Sequence, residues 1–487
     1  MRARRNLVAA LAVALTATGP LAWGAEPQPV PSPSPVERPH TTGRWIVDAQ
    51  GRVLLPVGTN VMNKDGDYLP ESIGFGDDDA AFLAEQGFTS VRLGFSWRGV
   101  EPNPGQYDRA YLAALKQTIA TFHRHGVSVL LDSHQDMVAP AFEGNGFPDW
   151  AALTDGWPNT IKAGFPNNQF FNVALQHVYD NLHANKPGPG GVGLADRYAA
   201  MWAEVARTVR DSPGVIGFDL YNEPWPGTNW VGCLTPGPCQ RKDADLSSFQ
   251  QKATQAIRAT GDPTPVFAEP FSLFNQGSQT NLRVNGTNVG LSFHVYCPMQ
   301  QMNGPYGNCL PQDKRVFANA ESRSTALAQP SLLTEFGNTK DATTLRTQSD
   351  LAMRNRMGWY YWEYSRGEAR NTIVADMSKP PEGNNVDWGK LDHLVVMRPE
   401  AVAGIPQEYS YDRDRGVFRL TWSTELADGG RAAAGAITTI SVPRRTAPQG
   451  YTVSVQGARV TSPAGADVVT LAQEAGAHSG QVTITRR

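Results

Sequence analysis

The chain of 487 residues is 40% hydrophobic and 18% charged, and it holds 47 glycines and 36 prolines. These proportions exclude a coiled coil, a disordered tail protein and a highly charged binding protein. The length favours two domains, because an α/β barrel often takes about 250 residues or more by itself. The formal net charge of −3 argues against nucleic acid as the main partner.

The N-terminal segment has the pattern of a secretory signal peptide over residues 1–24. Basic residues precede an apolar run from Leu7 to Ala17, and small residues stand before Ala25. A membrane anchor is the alternative, but it needs about 20 apolar residues and this run is shorter. Residues 25–42 are rich in proline and predict an extended linker. We therefore expect a secreted, extracellular protein with no stable membrane anchor.

The four cysteines form two close pairs in the sequence. They are Cys233 with Cys239 and Cys297 with Cys309. In an exported chain this spacing favours two local disulfides, although four cysteines permit three pairings. A metal site is the alternative, but neither spacing matches a zinc knuckle, so we expect no metal.

Short β-rich apolar runs alternate with amphipathic stretches through most of the chain. The eight runs are Val53–Thr59, Thr89–Phe95, Val127–Asp132, Val215–Tyr221, Pro265–Ala268, Val289–Val295, Ser331–Thr334 and Trp359–Trp362. Helices are expected at Asp77–Gln86, Tyr111–Arg124, Ala195–Arg210, Ala244–Thr260 and Ala342–Arg356. This alternation predicts an α/β fold, a (β/α)8 TIM barrel, which we assign to residues 43–405.

Two segments depart from a minimal barrel. Met137–Leu194 is long and rich in Gly, Asn, Pro, Phe and Trp, and a loop in this position lies on the active face of a barrel. After Trp362 we expect a closing helix near Pro399–Ala403, followed by a small C-terminal antiparallel β-sandwich over residues 406–487. The strands expected in it are Val417–Trp422, Ala436–Val442, Tyr451–Val455, Val468–Leu471 and Gln481–Thr485.

Polar side chains collect where the apolar runs end, and in a barrel these ends face one mouth. Two carboxylates, Glu223 and Glu335, close the fourth and seventh runs. Retaining glycoside hydrolysis needs such a pair, one protonated and one ionised, about 5–5.5 Å apart. Asn222 is suited to bind a sugar 2-hydroxyl, and Tyr296 is suited to orient the nucleophile. The indole of Trp362 offers a flat face for a sugar ring.

Other polar residues at run ends have ordinary explanations. Glu269 follows the fifth run, where a lone glutamate is most often a helix cap or a solvated loop residue. Asp132, His134 and Asp136 are able to hold a metal, but a hydrogen-bond network between histidine and carboxylates is more common. Lys64 follows the first run, where a loop residue is the default.

Taken together, these residues resemble the site of glycoside hydrolase family 5, whose typical positions occur in the right strand order. The eight positions are Arg92, His134, Asn222, Glu223, His294, Tyr296, Glu335 and Trp362. The resemblance implies that Glu223 is the general acid/base and that Glu335 is the nucleophile. It also implies that no metal or organic cofactor is needed.

Within that family the chain resembles endoglycoceramidases, exported enzymes that cut between an oligosaccharide and ceramide. The segments that carry the resemblance are SVRLGFSWRGVEPNPGQYD, LLDSHQD, YNEPWPG, LLTEFGNT and RPEAVAGIP. By this resemblance the sugar next to the scissile bond is contacted by Lys64, Asp136, Asn222, Tyr296 and Trp362. The partner it implies is a glycosphingolipid presented in membranes or micelles to a monomeric enzyme.

Substrate choice stays open at this point. Met137–Leu194 and the sequence after Tyr364 match the group loosely, and these regions would shape the lipid channel and the distal sugar sites. An endoglucanase or mannanase is one alternative, and an exo-acting glucosylceramide, galactosylceramide or steryl-glycoside hydrolase is another. A non-catalytic carbohydrate-binding protein is a third possibility, which the two carboxylates disfavour.

Overall fold

The computed structural model describes residues 36–234, 239–298, 306–365 and 372–487. The first strands are β1 (His40–Thr42), β2 (Trp45–Val47) and β3 (Val53–Leu54). The predicted signal peptide and the first part of the predicted linker lie outside the described residues.

The centre of the fold is a closed barrel of eight parallel strands, which confirms the predicted TIM barrel. The strands are β4 (Val57–Val61), β5 (Ser90–Phe95), β6 (Ser128–Ser133), β7 (Val215–Asp219), β8 (Val266–Ala268), β9 (Val289–Val295), β10 (Ser331–Gly337) and β11 (Trp359–Trp362). They follow one another around the barrel in chain order, and β11 closes on β4. All eight strands therefore present their carboxyl ends at one mouth.

The helices of the described residues lie between these strands in the chain, except for the last one, which follows β11. They are α1 (Asp77–Glu85), α2 (Trp97–Val100), α3 (Arg109–Arg124), α4 (Asn167–Phe171), α5 (Val173–His183), α6 (Leu194–Val209), α7 (Gln240–Ala259), α8 (Leu310–Leu327), α9 (Ala342–Arg354) and α10 (Trp388–Leu394). Short 3₁₀ helices occur at Pro70–Ile73, Pro140–Phe142, Asp149–Ala151, Pro189–Gly191, Trp230–Cys233, Ser272–Gln276, Tyr306–Asn308, Gly383–Asn385 and Arg444–Thr446.

The segment between the third strand and its helix is more regular than the sequence predicts. Met137–Leu194 contains α4 and α5, and the side chain of Asn172 caps α5 by accepting a hydrogen bond from the Leu175 N–H group. Its buried apolar side chains on α5, among them Leu175 and Tyr179, pack into the main core. This packing anchors the segment at the barrel mouth.

The first predicted barrel run is two strands rather than one. Val53–Leu54 pairs with β2, whereas Val57–Val61 is the first strand of the barrel. Pro56 separates them because a proline has no N–H group to donate to a ladder. The sequence pattern missed this break, since the run from Val53 to Thr59 is continuous and mostly apolar.

The remaining strands form two antiparallel sheets. They are β12 (Arg398–Val402), β13 (Ile405–Asp412), β14 (Val417–Ser423), β15 (Ile437–Ser441), β16 (Tyr451–Gln456), β17 (Ala458–Val460), β18 (Val468–Gln473) and β19 (Ser479–Arg486). One sheet has the order β1-β2-β3-β12-β15-β18-β17, and the other has the order β13-β14-β19-β16. The predicted C-terminal strands are therefore present.

The predicted closing helix near Pro399–Ala403 is wrong. All of this stretch except Ala403 lies in β12, which pairs with β15 on one side and with β3 on the other. Partners on both sides supply the backbone hydrogen bonds that a five-residue helix cannot complete internally. The division at residues 405 and 406 stays a prediction, while β1–β3 join the same sheet as four strands from the C-terminal part.

Candidate active site

The two carboxylates that the sequence singles out meet at the barrel mouth. Glu335 lies in β10, and Glu223 follows β7 by four residues. One oxygen of each carboxylate and one ring nitrogen of His294 all lie within 4.8 Å of one another. This separation fits the short spacing of retaining glycosidases, about 5–5.5 Å, rather than the 6.5–9.5 Å of inverting ones.

The carboxylate of Glu335 is held by two donors. Arg92 Nη1 donates to Glu335 Oε1 at 2.6 Å, and the Tyr296 hydroxyl donates to Oε2 at 2.9 Å. Burial and the neighbouring carboxylates raise the pKa of Tyr296 well above its ordinary value, so its hydroxyl keeps its proton. A guanidinium and a hydroxyl facing one carboxylate stabilise its anionic form.

Arg92 is the hub of the buried polar network under the mouth. Besides Glu335, its guanidinium donates to Asn60, Asp132, Asp219 and Asn222 at 2.8 to 3.0 Å. Burial disfavours the charge, but the surrounding carboxylates outweigh this effect and raise the pKa of Arg92 well above its ordinary value. The planar guanidinium group thus holds five side chains in place, and these side chains come from different positions around the barrel.

Replacing Arg92 by lysine is expected to destabilise the fold as well as the site. Lysine carries one charged nitrogen and cannot reach five acceptors, so buried carboxylates lose their partners. We expect the free energy of unfolding in urea to fall by about 3 kcal/mol. Arg98→Lys is the matched control, because Arg98 pairs with Asp149 at the surface, and it should change stability by less than about 0.5 kcal/mol. Equal losses of stability in the two variants would contradict the central role of Arg92 in the buried polar network.

Glu223 has a different environment. Its Oε1 accepts a hydrogen bond from Asn275 Nδ2 at 2.9 Å and lies 2.9 Å from His294 Nδ1. Burial, with the negative charge of Asp136 nearby, raises its pKa from 4.5 to about 7. Burial also lowers the pKa of His294 to about 3, so the imidazole is neutral. Glu223 therefore keeps its proton to a higher pH than an ordinary glutamate does.

The backbone of Glu223 is also constrained. It has a φ of 42°, in the left-handed region that a residue with a side chain rarely adopts. Its N–H group donates to Glu269 Oε1 at 3.1 Å, and its carbonyl accepts from Gln135 Nε2 at 3.2 Å. Such a conformation costs about 1–3 kcal/mol and persists only where surrounding contacts hold it.

A second cluster lines the mouth beside these carboxylates. Lys64 Nζ donates to Asp136 Oδ2 at 2.6 Å and lies 4.3 Å above the Trp362 ring. The Trp362 ring stacks on His134, with centroids 5.4 Å apart, and His134 Nδ1 lies 2.7 Å from Asp132 Oδ2. Burial opposes both charges of the ion pair, yet mutual attraction lowers the pKa of Asp136 well below its usual range and raises that of Lys64.

The structure thus brings every candidate residue of the sequence analysis to one mouth. They are Lys64, Arg92, His134, Asp136, Asn222, Glu223, His294, Tyr296, Glu335 and Trp362. Cys233 pairs with Cys239 and Cys297 with Cys309, as the local spacing predicts. The second disulfide joins the residue after Tyr296 to the start of α8.

Sequence reasoning missed three contributors. Asn275 lies on the 3₁₀ helix Ser272–Gln276 and has no motif that marks it. Asp219 is the last residue of β7 and lies within the fourth apolar run, where only its alternation with Phe218 gives a signal. Glu269 was expected at a helix cap or in solvent, but it is 1% exposed and bonds to the Glu223 backbone.

Glu223, His294 and Glu335 are close enough to share a metal ion. Their existing partners favour proton chemistry instead. Arg92 already neutralises Glu335 at 2.6 Å, and a divalent cation beside a guanidinium would be repelled. The donor set therefore fits an acid and a carboxylate better than a metal centre.

Comparison with known proteins agrees with this geometry. Residues 75–368 match the family described as Cellulase (glycosyl hydrolase family 5), and residues 398–485 match the glycoside hydrolase family 5 C-terminal domain. Endoglycoceramidase I of Rhodococcus hoagii is 31% identical over 468 residues, which cover 93% of this chain and 88% of that protein. An endoglycoceramidase of Hydra vulgaris is 27% identical, with 78% of this chain and 76% of the relative covered.

Solved structures give the same relationship. Endo-glycoceramidase II from Rhodococcus sp., in its ganglioside GM3 complex, superposes with a TM-score of 0.76 at 26% identity. The match covers 92% of this chain and all of that one. The family match spans the residues that carry both carboxylates and extends through the C-terminal sheets. The chain therefore belongs to glycoside hydrolase family 5.

Proposed function

We propose that the protein is a retaining β-glycosidase that hydrolyses the bond between the sugar and the ceramide of glycosphingolipids. The observation that carries the proposal is the pair Glu223 and Glu335, within 4.8 Å and in opposite electrostatic surroundings. The relatives named endoglycoceramidases support the substrate class, since they align with most of the chain. The ganglioside complex of a similar structure supports it further.

In the first step Glu335 is the nucleophile. Its carboxylate oxygen forms a bond to the anomeric carbon while the bond from that carbon to the ceramide oxygen breaks. Glu223 gives its proton to that oxygen, so ceramide leaves as a neutral alcohol. Arg92 and Tyr296 hold the attacking carboxylate in place.

In the second step Glu223 acts as the base. It takes a proton from water, the water oxygen bonds to the anomeric carbon, and the bond to Glu335 breaks. Two inversions leave the β configuration of the sugar unchanged. Asn275 and His294 face the carboxylate that Glu223 presents in this step.

An exposed apolar surface beside the mouth supports a lipid substrate. We call it the apolar rim, and its members are Trp157, Ile161, Phe165, Phe171, Val231 and Leu234, each between 39% and 61% exposed. They lie on the loops after β6 and β7, which Phe170 joins by ring contacts with Trp225 and Trp230. Trp359 is not part of this surface, because it is buried in the barrel against Phe336.

A cleft with both polar and apolar lining, formed by the segments after β4 and β11, is suited to the distal sugars. It has a volume of about 630 Å³ and is lined by Asn63, Asp67, Ser72, Ser365 and Asp376, among other residues. Two of its lining residues, Asn63 and Asp65, flank Lys64 in the sequence, and Lys64 Nζ lies 4.3 Å from the Trp362 ring centroid. Sugar on this side and lipid on the apolar rim would place the scissile bond at the carboxylates.

We also propose that the protein is secreted. The basic and apolar pattern of residues 1–24 supports export, and the two disulfides are typical of an oxidising compartment. Among the helices of the described residues, none has the length and apolar character needed to cross a bilayer.

The proposal is tested by offering the purified protein two substrates, fluorescent lactosylceramide and a soluble β-glucan. Release of intact lactose from the lipid, identified by mass spectrometry, is the expected result. A panel of glucosyl-, galactosyl- and longer-chain glycosphingolipids, together with a steryl glucoside, then defines the sugar series. Hydrolysis of the β-glucan alone would overturn the substrate assignment.

The double substitution Phe165→Ser/Phe171→Ser is expected to affect lipid substrates selectively. These rings are 53% and 61% exposed, and inserting them into a lipid surface removes apolar area from water. We expect KM for lactosylceramide in vesicles to rise about tenfold, a loss of about 1.4 kcal/mol of binding. The kcat/KM for a soluble aryl β-lactoside should stay within about twofold.

The matched control is Val460→Ser/Val468→Ser, which removes exposed apolar side chains from the C-terminal sheet. This variant should behave as the wild type on both substrates. An equal rise in KM for both double variants, or for both substrates, would contradict the role of the apolar rim.

A further inference from the structure

Glu269 is a buried carboxyl group that the two-step reaction does not use. It follows β8 directly and is 1% exposed. Gln250 of α7 fixes its backbone, because its side chain accepts from the Glu269 N–H group at 3.0 Å and donates to the Glu269 carbonyl at 2.7 Å. A side chain held this firmly at the barrel mouth has a defined direction.

The two oxygens of this carboxyl group have different neighbours. Oε1 accepts the N–H group of Glu223 at 3.1 Å. Oε2 lies 3.5 Å from His294 Nε2 and 3.8 Å from Arg92 Nη2. Both Oε2 and His294 Nε2 are buried and have no hydrogen-bond partner among the described residues. Two unsatisfied polar atoms that face each other are costly unless a proton lies between them.

The charges around Glu269 decide which group carries that proton. Asp219, Glu223 and Glu335 face it, and Arg92 is shared among several carboxylates. Burial first, and then these negative neighbours, raise the pKa of Glu269 well above its ordinary value despite Arg92. The carboxyl group is therefore neutral and has a hydrogen to donate.

We propose that Glu269 is a positioning residue that donates a hydrogen bond from Oε2 to Nε2 of His294 and thereby keeps the His294 proton on Nδ1. Small movements close the 3.5 Å gap between these atoms. The Nδ1–H group then points at Glu223 Oε1, which lies 2.9 Å away. Glu269 also accepts the Glu223 N–H group, so one carboxyl orients both the side chain and the left-handed backbone of Glu223.

This inference rests on the proposed role of Glu223 as acid and base. An Nδ1–H donor stabilises the ionised form of Glu223, which exists after its proton has gone to the leaving oxygen. With the proton on Nε2 instead, the Nδ1 lone pair would favour protonated Glu223. Glu269 therefore influences how readily Glu223 changes between its protonated and ionised forms.

Two variants of Glu269 separate this role from packing. In Glu269→Leu the donor to His294 is lost, the imidazole proton is free to move to Nε2, and the apparent pKa of the basic limb of kcat/KM should rise by about one unit. We expect kcat to fall about tenfold or more. Glu269→Gln keeps a donor for His294 and an acceptor for Glu223, so it should rescue the wild-type pH profile, with kcat within about threefold.

Two pH results would overturn the proposal. A Glu269→Leu variant with reduced kcat and an unmoved basic limb would show that the residue only packs. A basic limb that moves to lower pH in Glu269→Gln would show that Glu269 is ionised, because the substitution would then remove a negative charge beside Glu223.

If Glu269→Leu does not fold, the proposal can still be tested by a measurement that does not depend on enzymatic activity. ¹⁵N chemical shifts of histidine-labelled wild type and Glu269→Gln, assigned by the loss of signals in His294→Asn, report the tautomer directly. A proton on Nδ1 in both proteins is expected, and a proton on Nε2 would overturn the proposal. The position of the His294 proton can be measured whether or not the proposed function is correct. If the proposed role of Glu223 is wrong, the basic limb of the pH profile will not change when Glu223 is replaced.

Discussion

Glu335→Ala is expected to reduce kcat on lactosylceramide by about 10⁴-fold or more, because the proposed nucleophile is lost. The cavity it leaves lies beside Arg92 and Tyr296, which donate to its carboxylate. Azide should enter this space and attack the anomeric carbon of an activated aryl β-lactoside. One inversion then gives an α-lactosyl azide, which mass spectrometry and NMR identify.

The matched control for this variant is Glu474→Ala, which changes an exposed glutamate that follows β18 in the C-terminal part of the chain. It should leave kcat and the pH profile unchanged. A Glu335→Ala enzyme that retains more than about 1% of wild-type kcat, or forms a β-lactosyl azide, would contradict the assignment of the nucleophile.

The loss of activity in Glu223→Ala is expected to depend on the leaving group of the substrate. Ceramide leaves as a poorly stabilised alkoxide unless it is protonated, so kcat on lactosylceramide should fall about 10³-fold or more. A dinitrophenyl β-lactoside needs no acid to leave, and its glycosylation step should slow far less. Azide should then replace water in the second step and give a β-lactosyl azide.

The pH dependence gives a second readout for the same residue. In the proposed mechanism glycosylation requires protonated Glu223, whose pKa is raised to about 7 by burial, so wild-type activity should decline as pH rises through this value. In Glu223→Gln that decline should disappear from the residual activity, because the amide does not titrate. Persistence of the basic limb would assign it to another group and contradict the role of Glu223.

The barrel was predictable because its strands carry a strong local signal. Val289–Val295 and Trp359–Trp362 have in the structure the bounds expected from the sequence. Their continuous burial is typical of parallel strands covered on both faces. Strands at the junction with the C-terminal sheets were harder, since β3 and β12 are only two and five residues long. Their conformation depends on partners that are distant in the sequence.

The site was predictable for the same topological reason. Parallel strands in a closed barrel bring their carboxyl ends together, so residues such as Glu223 and Glu335 meet although 112 positions separate them. Asn275 and Glu269 escaped prediction because their roles depend on which side chains face them. A lone glutamate after a strand has the same local pattern whether it is solvated or buried.

The sequence by itself determined the barrel, the order of its strands and the residue types at its mouth, because periodic burial and strand ends are local properties. The tertiary structure decided the protonation states. Arg92 donates to the Glu335 carboxylate, burial raises the pKa of Glu223 to about 7, and burial with the neighbouring carboxylates raises the pKa of Glu269 well above its ordinary value. Electrostatic free energies depend on distances between groups from different strands, and folding alone sets those distances.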